Sequence, residues 1–249
     1  MHGDVVVKRF RRSDHDRPGR EWRALTLLDR HAPGVAPAPL TADLDAHPPI
    51  VVMSRLAGTV LDGPITGRVA DALADAVTKV QEAIPRRVLD RVPARAGHPV
   101  ELLQQVRESS AVMPPSNESA LVAEAFRVAA DWVGRPMLDR SFAQPIDGTF
   151  GTGDGNLANY LWDGTDVRVV DFEYSGRSDR AFELAEICEH ISVWANDPAG
   201  LTAVLGRFEL GGSEAARLTD CRRLLRLYWL LRSHGQPRDD QASRLLALL

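Results

Sequence analysis

Asp154, Asn159 and Asp171 are the residues on which a reading of this chain turns, because their types and order suit one kind of chemistry. Asn159 follows Asp154 by five positions, and Asp171 closes the β-branched stretch Val167 to Val170. Phosphoryl transfer to a hydroxyl needs a carboxylate that orients the hydroxyl and accepts its proton. It also needs an amide and a second carboxylate to hold Mg²⁺ on the phosphates. Asp154 is accordingly the candidate base, and Asn159 and Asp171 are the candidate Mg²⁺ ligands. Asp and Asn flank turns in any hairpin, so one of them alone would carry no inference. Three metal-compatible groups in this order do.

The local pattern supplies a frame for them. Asn159 to Trp162 is a short apolar run, Asp163-Gly164-Thr165-Asp166 is turn chemistry, and Val167 to Val170 is the second run, which together read as a hairpin. Its two strands bring Asn159 and Asp171 to one end. A helical pattern follows from Asp179 to Trp194, with Ser178 as its expected cap. In these motifs the chain resembles the aminoglycoside phosphotransferase-like family of small-molecule kinases. The family motif is His-Gly-Asp, four residues, Asn, then a strand ending in Asp and a helix that opens with Asp and closes on Asp-Leu-Ala. Here it reads Thr152-Gly153-Asp154, Asn159, Asp171, Ser178-Asp179 and Glu183-Leu184-Ala185. Thr152 stands in place of His and Glu183 in place of Asp, both at supporting positions of the family.

The resemblance implies a two-lobed, protein-kinase-like α+β fold, with a small α/β amino lobe over residues 1–56 and a mainly helical carboxyl lobe over 57–249. It implies ATP or another nucleoside triphosphate with Mg²⁺, and a small-molecule hydroxyl acceptor. In such folds a strand Lys contacts the nucleotide phosphates and a helix Glu anchors it. Val5 to Phe10 reads as the strand, and Arg20 to His31 as the helix, so Lys8 and Glu21 take those roles. Apart from the later motif, the same pair would be two surface charges. Pro49 to Met53 reads as a buried strand leading into Ser54-Arg55-Leu56, which resembles the family's interlobe hinge. By that analogy the backbone of Ser54 and Leu56 meets an adenine and Met53 lies beside it, although a core strand with an ordinary linker would read the same. The fold also begins with two strands and a glycine-rich loop over the phosphates, whereas this sequence starts at the strand carrying Lys8. Either the start lies upstream, or the chain is trimmed, or the protein manages without the loop.

Composition bounds the rest. With 249 residues, 44% hydrophobic and 26% charged, the chain can bury one large core or two smaller ones. A net charge of -4 leaves no basic footprint for nucleic acid or an anionic membrane. Cys188 and Cys221 suit reduced, buried thiols, and Met1-His2-Gly3-Asp4 does not look like a signal peptide. No apolar run approaches about 18 residues, so a cytoplasmic protein is expected. Oligomeric state is not legible.

Helices are expected near 66–84 with Thr66 as N-cap, 99–112, 118–133, 198–208 and 213–231, with a break at Met113 to Asn117. Arg86 to Pro99 reads as an exposed, Arg-rich connector. In the helix from Asp179, Glu183, Glu186, Glu189 and His190 form polar faces. Glu186 and Glu189 are expected to meet ammonium groups of a substrate, or equally to be the solvated side of a core helix. Glu173, two residues past Asp171, is expected to meet metal or substrate. The expected function is ATP-dependent O-phosphorylation of a small molecule, with an aminoglycoside-type antibiotic as one acceptor. The second reading is a kinase-like protein that binds a nucleotide, small molecule or partner without turnover.

Overall fold

The β-branched start of the chain extends as β1 (Val5–Arg9) and pairs antiparallel with β3 (Ile50–Ser54), which pairs on its other side with β2 (Pro39–Asp43). The sheet order is therefore β1-β3-β2. Strand period 2 puts Val51 and Met53 of the central strand into the core. Helix α1 (Arg17–His31) presents the buried Ala24, Leu25 and Leu28, and starts earlier than the Arg20 expected. Pro18 lies in its first turn, where a missing N–H costs nothing, so the residue read as loop chemistry opens the helix instead. This is a computed structural model. It describes residues 4–249 apart from 12, 15, 63–64, 66, 111–117, 145–147, 197 and 233–237, and gives the backbone alone at 110, 194–196 and 198–200. The expected Thr66 cap and the Met113 to Asn117 break lie outside the described residues, as does the side chain of Trp194.

The chain continues with the short strand β4 (Thr59–Val60), then α2 (Gly67–Glu82), α3 (Arg86–Leu89), α4 (Pro99–Ser110), α5 (Ala120–Val133) and α6 (Met137–Ala143). Strand β5 (Gly148–Gly151) leads into the segment that carries Asp154, and a single 3₁₀ turn, Leu157–Asn159, leads into β6 (Tyr160–Trp162). Strand β7 (Val167–Val169) completes the expected hairpin, with Tyr160 opposite Val169 and β4 on its far side. Strand β8 (Gly176–Asp179) then returns antiparallel to β5. The chain ends in α7 (Arg180–Glu189), α8 (Ile191–Asn196), α9 (Pro198–Leu205), α10 (Gly212–Arg232) and α11 (Asp239–Leu246). Helix α10 lies along α7, and α2 lies against α9 and β5. Cys188 and Cys221 are buried free thiols. Among the described residues, no helix is long and apolar enough to cross a membrane.

Three expectations need correction. The single helix from Asp179 to Trp194 is two, because His190 leaves the helical region with ψ 142°. Its cap is Asp179 rather than Ser178: Asp179 accepts the Phe182 N–H at 3.0 Å, while the Ser178 hydroxyl donates to Glu183 Oε1 at 2.6 Å. The connector over 86–99 is not a solvated loop, since it contains α3 and buries Leu89, Val92 and Arg95.

Asp179 has a second duty that makes it a stability test. It is buried and binds the Arg217 guanidinium at 2.8 and 2.9 Å, tying α7 to α10. Removing one partner of a buried pair leaves an unpaired charge, so Asp179→Ala should lose about 3–5 kcal/mol in denaturant unfolding. Asp179→Asn, which retains a capping oxygen, should lose clearly less.

Candidate active site

Lys8 is the point where the two lobes meet. Its Nζ lies 3.0 Å from Glu21 Oε2 on α1, 2.7 Å from Asp171 Oδ1 and 3.0 Å from Glu173 Oε2. The same Glu21 oxygen accepts the Phe172 N–H at 2.8 Å, so α1 grips both the lysine and the backbone beside Asp171. Phe172 is fully buried and Asp171 has φ +66°, a left-handed conformation that Asp tolerates better than most residues. Together they turn the Asp171 carboxylate toward Lys8 while the chain dives into the core. Glu173 also holds Arg17 at 3.1 Å, and that guanidinium lies over the Tyr174 ring.

Asn159 sits opposite this group. Its carbonyl accepts the Val170 N–H at 2.9 Å, which fixes it one residue from Asp171 across the hairpin. It is buried, and its Nδ2 has no described partner; the same is true of Glu21 Oε1. Buried polar atoms are seldom left unmatched, and the orphaned Nδ2, a donor, suits an acceptor oxygen of a bound ligand, which leaves the amide oxygen for a cation. Among the described residues no cluster of three or more His, Cys, Asp or Glu could hold a metal. Two protein oxygens and substrate phosphates are a normal shell for Mg²⁺, so Asn159 and Asp171 fit that ion.

Asp154 lies in the tight segment between β5 and the 3₁₀ turn, a quarter exposed. Its Oδ1 accepts the Asn156 N–H at 2.9 Å and lies 3.5 Å from His190 Nε2. The segment admits no side chain at its glycines. A Cβ on Gly153 (φ +82°) would lie 2.3 Å from the Tyr174 carbonyl oxygen, and one on Gly155 would lie 2.1 Å from the Glu186 carbonyl oxygen. Thr152, in the place the family gives to His, donates its hydroxyl to the Asp154 carbonyl at 3.3 Å.

At the hinge the expected set is only partly available. Ser54 N–H is already bound to the Ala38 carbonyl at 2.9 Å, and its hydroxyl oxygen accepts the Ala38 N–H, so Ser54 offers no free backbone N–H to an adenine. Arg55 N–H is likewise taken, by Asp4. Leu56 N–H has no described partner, and Met53 is buried in β3.

The fold has counterparts. A sequence model of the phosphotransferase enzyme family matches residues 1–225. The chain belongs to that family. No curated protein matches it significantly. The phosphotransferase superposes on a choline/ethanolamine kinase family protein from Mesorhizobium loti with a TM-score of 0.64 at 20% identity, over 100% of this chain and 83% of that one. Aminoglycoside 2'-phosphotransferase-IIIa, solved as a GDP complex, gives 0.66 at 16% over 99% and 86%. An aminoglycoside phosphotransferase from Streptomyces rimosus, in complex with ADP and streptomycin, gives 0.57 at 19% over 96% and 86%. Identities this low speak for the fold alone, which is the two-lobed kinase-like one. By family the chain is a small-molecule kinase.

Beneath Asp154 the phosphotransferase has a buried charge cluster that composition did not reveal. Arg95 donates to Glu183 Oε1 at 3.0 Å, to Glu186 Oε1 at 2.9 Å and to the Gly153 carbonyl at 2.9 Å, while Glu183 Oε2 accepts the Gly153 N–H at 3.3 Å. Both polar groups of the Gly153 peptide are thus held from below. This overturns the expected role of the acidic helix. Glu186 is spent on Arg95, and Glu189, fully buried, is spent on Arg222 and Arg226 of α10, so neither faces a substrate. Glu183, Glu186 and Glu189 looked like a solvated stripe because helical spacing carries no information on which buried arginines come from elsewhere.

Burial acts on both charge groups. It would lower the pKa of the Lys8 ammonium, but Glu21 and Asp171 outweigh it and hold the lysine charged. Glu21 moves up, through burial first, with Lys8 opposing. These directions pull apart, and the two hydrogen bonds that Glu21 Oε2 accepts decide for an ionised pair. For Glu186, burial dominates, and Arg95 must be shared with Glu183, so its carboxyl is pushed up to about 7. Folded Glu186 therefore keeps a proton that the unfolded chain, with an ordinary value of 4.5, has lost. Its contribution to stability is full below 4.5 and disappears as pH rises through about 7. Glu186→Gln should flatten the decline of Tm across that window, measured by scanning calorimetry at stepped pH.

Proposed function

We propose that this phosphotransferase moves the γ-phosphoryl group of ATP, or of another nucleoside triphosphate, onto a hydroxyl of a small molecule. The observation that carries the reading is Lys8 in simultaneous contact with Glu21 and Asp171, from three separate parts of the chain. A lysine so placed reaches the phosphates with its ammonium preset and charged. Residues 1–56 are the nucleotide side, with the Leu56 backbone and Met53 at the base, and residues 57–249 carry the acceptor and the proton acceptor. Mg²⁺, held by Asn159 and Asp171, neutralises charge on the phosphates when bound.

Asp154 takes the proton. Its Oδ1 is occupied by Asn156, which leaves Oδ2 to receive the acceptor's hydroxyl hydrogen. As the acceptor oxygen bonds to the γ-phosphorus, the bond from that phosphorus to the β–γ bridging oxygen breaks with its electron pair onto the nucleoside diphosphate. The proton passes to Asp154. Glu173 steadies Lys8 and Arg17 at the mouth of the cleft.

For the acceptor, the names of the structural neighbours span choline, ethanolamine, spectinomycin and streptomycin, all hydroxyl compounds with amino or ammonium groups. We take that class as the acceptor, with aminoglycosides one branch of it. Asp154, Asp171 and Glu173 stand in the cleft against Lys8 and Arg17, with Glu21 buried behind them, a lining that suits a cationic acceptor beside the phosphates of the nucleotide.

Mg²⁺-ATP should raise Tm by mass action in both wild type and Asp154→Asn. ADP release with choline, ethanolamine, spectinomycin and streptomycin offered as acceptors should fall by about 10²–10⁴-fold in Asp154→Asn, the usual worth of a positioned base. Full turnover by Asp154→Asn would falsify the assignment of the base. Nucleotide binding with no transfer to any acceptor would favour the binder without turnover.

A further inference from the structure

His190 is placed where nothing in the motif asks for a histidine. The helical pattern breaks there, between α7 and α8, and the break turns the ring toward Asp154, with Nε2 3.5 Å from Oδ1. The other ring nitrogen is committed. The Ser192 N–H, which can only donate, approaches Nδ1 at 3.2 Å, and the Ser192 hydroxyl lies 2.8 Å from it. That hydroxyl oxygen accepts the Leu157 N–H at 3.1 Å, so its own hydrogen is free to point at Nδ1. An Nδ1 that receives two donors carries no proton, which puts the ring proton on Nε2, facing the carboxylate. The edge-to-face Trp229 ring of α10, 5.0 Å away, fixes the plane of the imidazole.

We propose that His190 is a positioning residue for Asp154: its Nε2–H and the Asn156 N–H together hold Oδ1, so that Oδ2 is the oxygen presented to the acceptor hydroxyl. This rests on Asp154 being the base, as proposed above. The imidazole is not itself a second base, because Nδ1 is engaged and Nε2 bears the proton. It is also not an imidazolium, since a proton on Nδ1 would face the Ser192 N–H. Burial lowers its pKa, with Asp154 opposing, which is consistent with a neutral ring. Leu157 N–H binds Ser192 and Ser192 binds His190, whose Nε2 stands 3.5 Å from Asp154 Oδ1, at the outer limit of a hydrogen bond, so that a small closure of this gap completes a circuit back to the loop from which it started. It couples the carboxylate's orientation to the end of α7 and to α10 without using any of the metal or phosphate groups.

The test uses the full chain with Mg²⁺-ATP and water as the phosphoryl acceptor, read as ADP release. His190→Ala should lower kcat about 10-fold or more, the worth of a hydrogen bond to a charged group, with KM for ATP within about 2-fold of wild type. His190→Gln, whose amide NH₂ reaches the position of Nε2, should recover most of the loss. In an Asp154→Asn background His190→Ala should cost nothing further. A wild-type kcat in His190→Ala, or a loss of the same size in the Asp154→Asn background without rescue by Gln, overturns the role of His190. Unimpaired Asp154→Asn alone overturns instead the base on which it rests. Should hydrolysis be too slow to follow, ¹⁵N spectra of the imidazoles, assigned with His190→Gln, decide the matter. An Nε2-protonated ring whose pKa drops in Asp154→Asn supports the proposal, and an Nδ1-protonated ring, or a pKa indifferent to Asp154, overturns it.

Discussion

A lysine ammonium needs carboxylates before it can sit half-buried between two lobes, and the arrangement around Lys8 follows from meeting that need. Glu21 must come from a helix lying across the sheet, which fixes α1 by way of Leu25 and Leu28 against β2 and β3. Asp171 must come from beyond the hairpin, and the sharp entry of Phe172 into the core holds it there, bound through its N–H to the same Glu21 oxygen. Helix α1 and the segment beyond the hairpin, far apart in sequence, are thereby bound to one charge. The interaction is worth more as a constraint than as stability, because the desolvation of Lys8 and Glu21 offsets much of the attraction between them.

A second buried charge does for the loop below what Lys8 does for the cleft above. The Gly153 peptide has no neighbours in a strand or helix to satisfy it, and the close approach of the Tyr174 carbonyl bars a side chain. Arg95 and Glu183 supply the missing donor and acceptor. One guanidinium shared between Glu183 and Glu186 leaves the second carboxylate undercompensated, and the raised Glu186 value is the price. The loop is rigid because it is surrounded by paired charge rather than by hydrophobic contact.

How far the sequence could be read depended on whether a residue's partner was near it in the chain. Asp154, Asn159 and Asp171 belong to one stretch, and turn chemistry with two β-branched runs places Asn159 and Asp171 at one end of a hairpin. Local patterns put Lys8 on a strand and Glu21 on a helix, but their pairing was an implication of the family resemblance. Arg95 could not be found this way: its partners lie about ninety residues on, and an Arg in a Pro- and Arg-rich stretch has the composition of a solvated connector. The same blindness assigned Glu186 and Glu189 to a substrate, because α7 is acidic whether its acids face water or arginines. Strands β5 and β8 escaped notice since β8 is Gly-Arg-Ser-Asp, with little strand propensity, and β5 has only Thr149 and Phe150 between two glycines, so that their mutual pairing makes them strands. His190 had no motif to announce it; a helix that stops one residue after Glu189 does so for tertiary reasons.

These two charge groups divide the cleft by what each part can tolerate. The Lys8 side and the Gly153 segment are fixed by buried pairs and by glycines without room for a Cβ, so change there costs the geometry of the phosphates or of the loop. The wall beyond Asp154 is built differently. His190 sits in a break between helices, and Trp229 and Tyr228 meet edge to face beside it on α10. The outer helix faces can exchange side chains without disturbing backbone hydrogen bonds, whereas the loop, and the His190 and Ser192 side chains that bind backbone N–H groups, cannot. On the reading proposed above, phosphoryl chemistry falls to the part of the molecule held by buried charge, and the acceptor meets the part held by packing. The Asp154 carboxylate lies on the boundary, tied to the loop through Asn156 and facing the packed wall through His190.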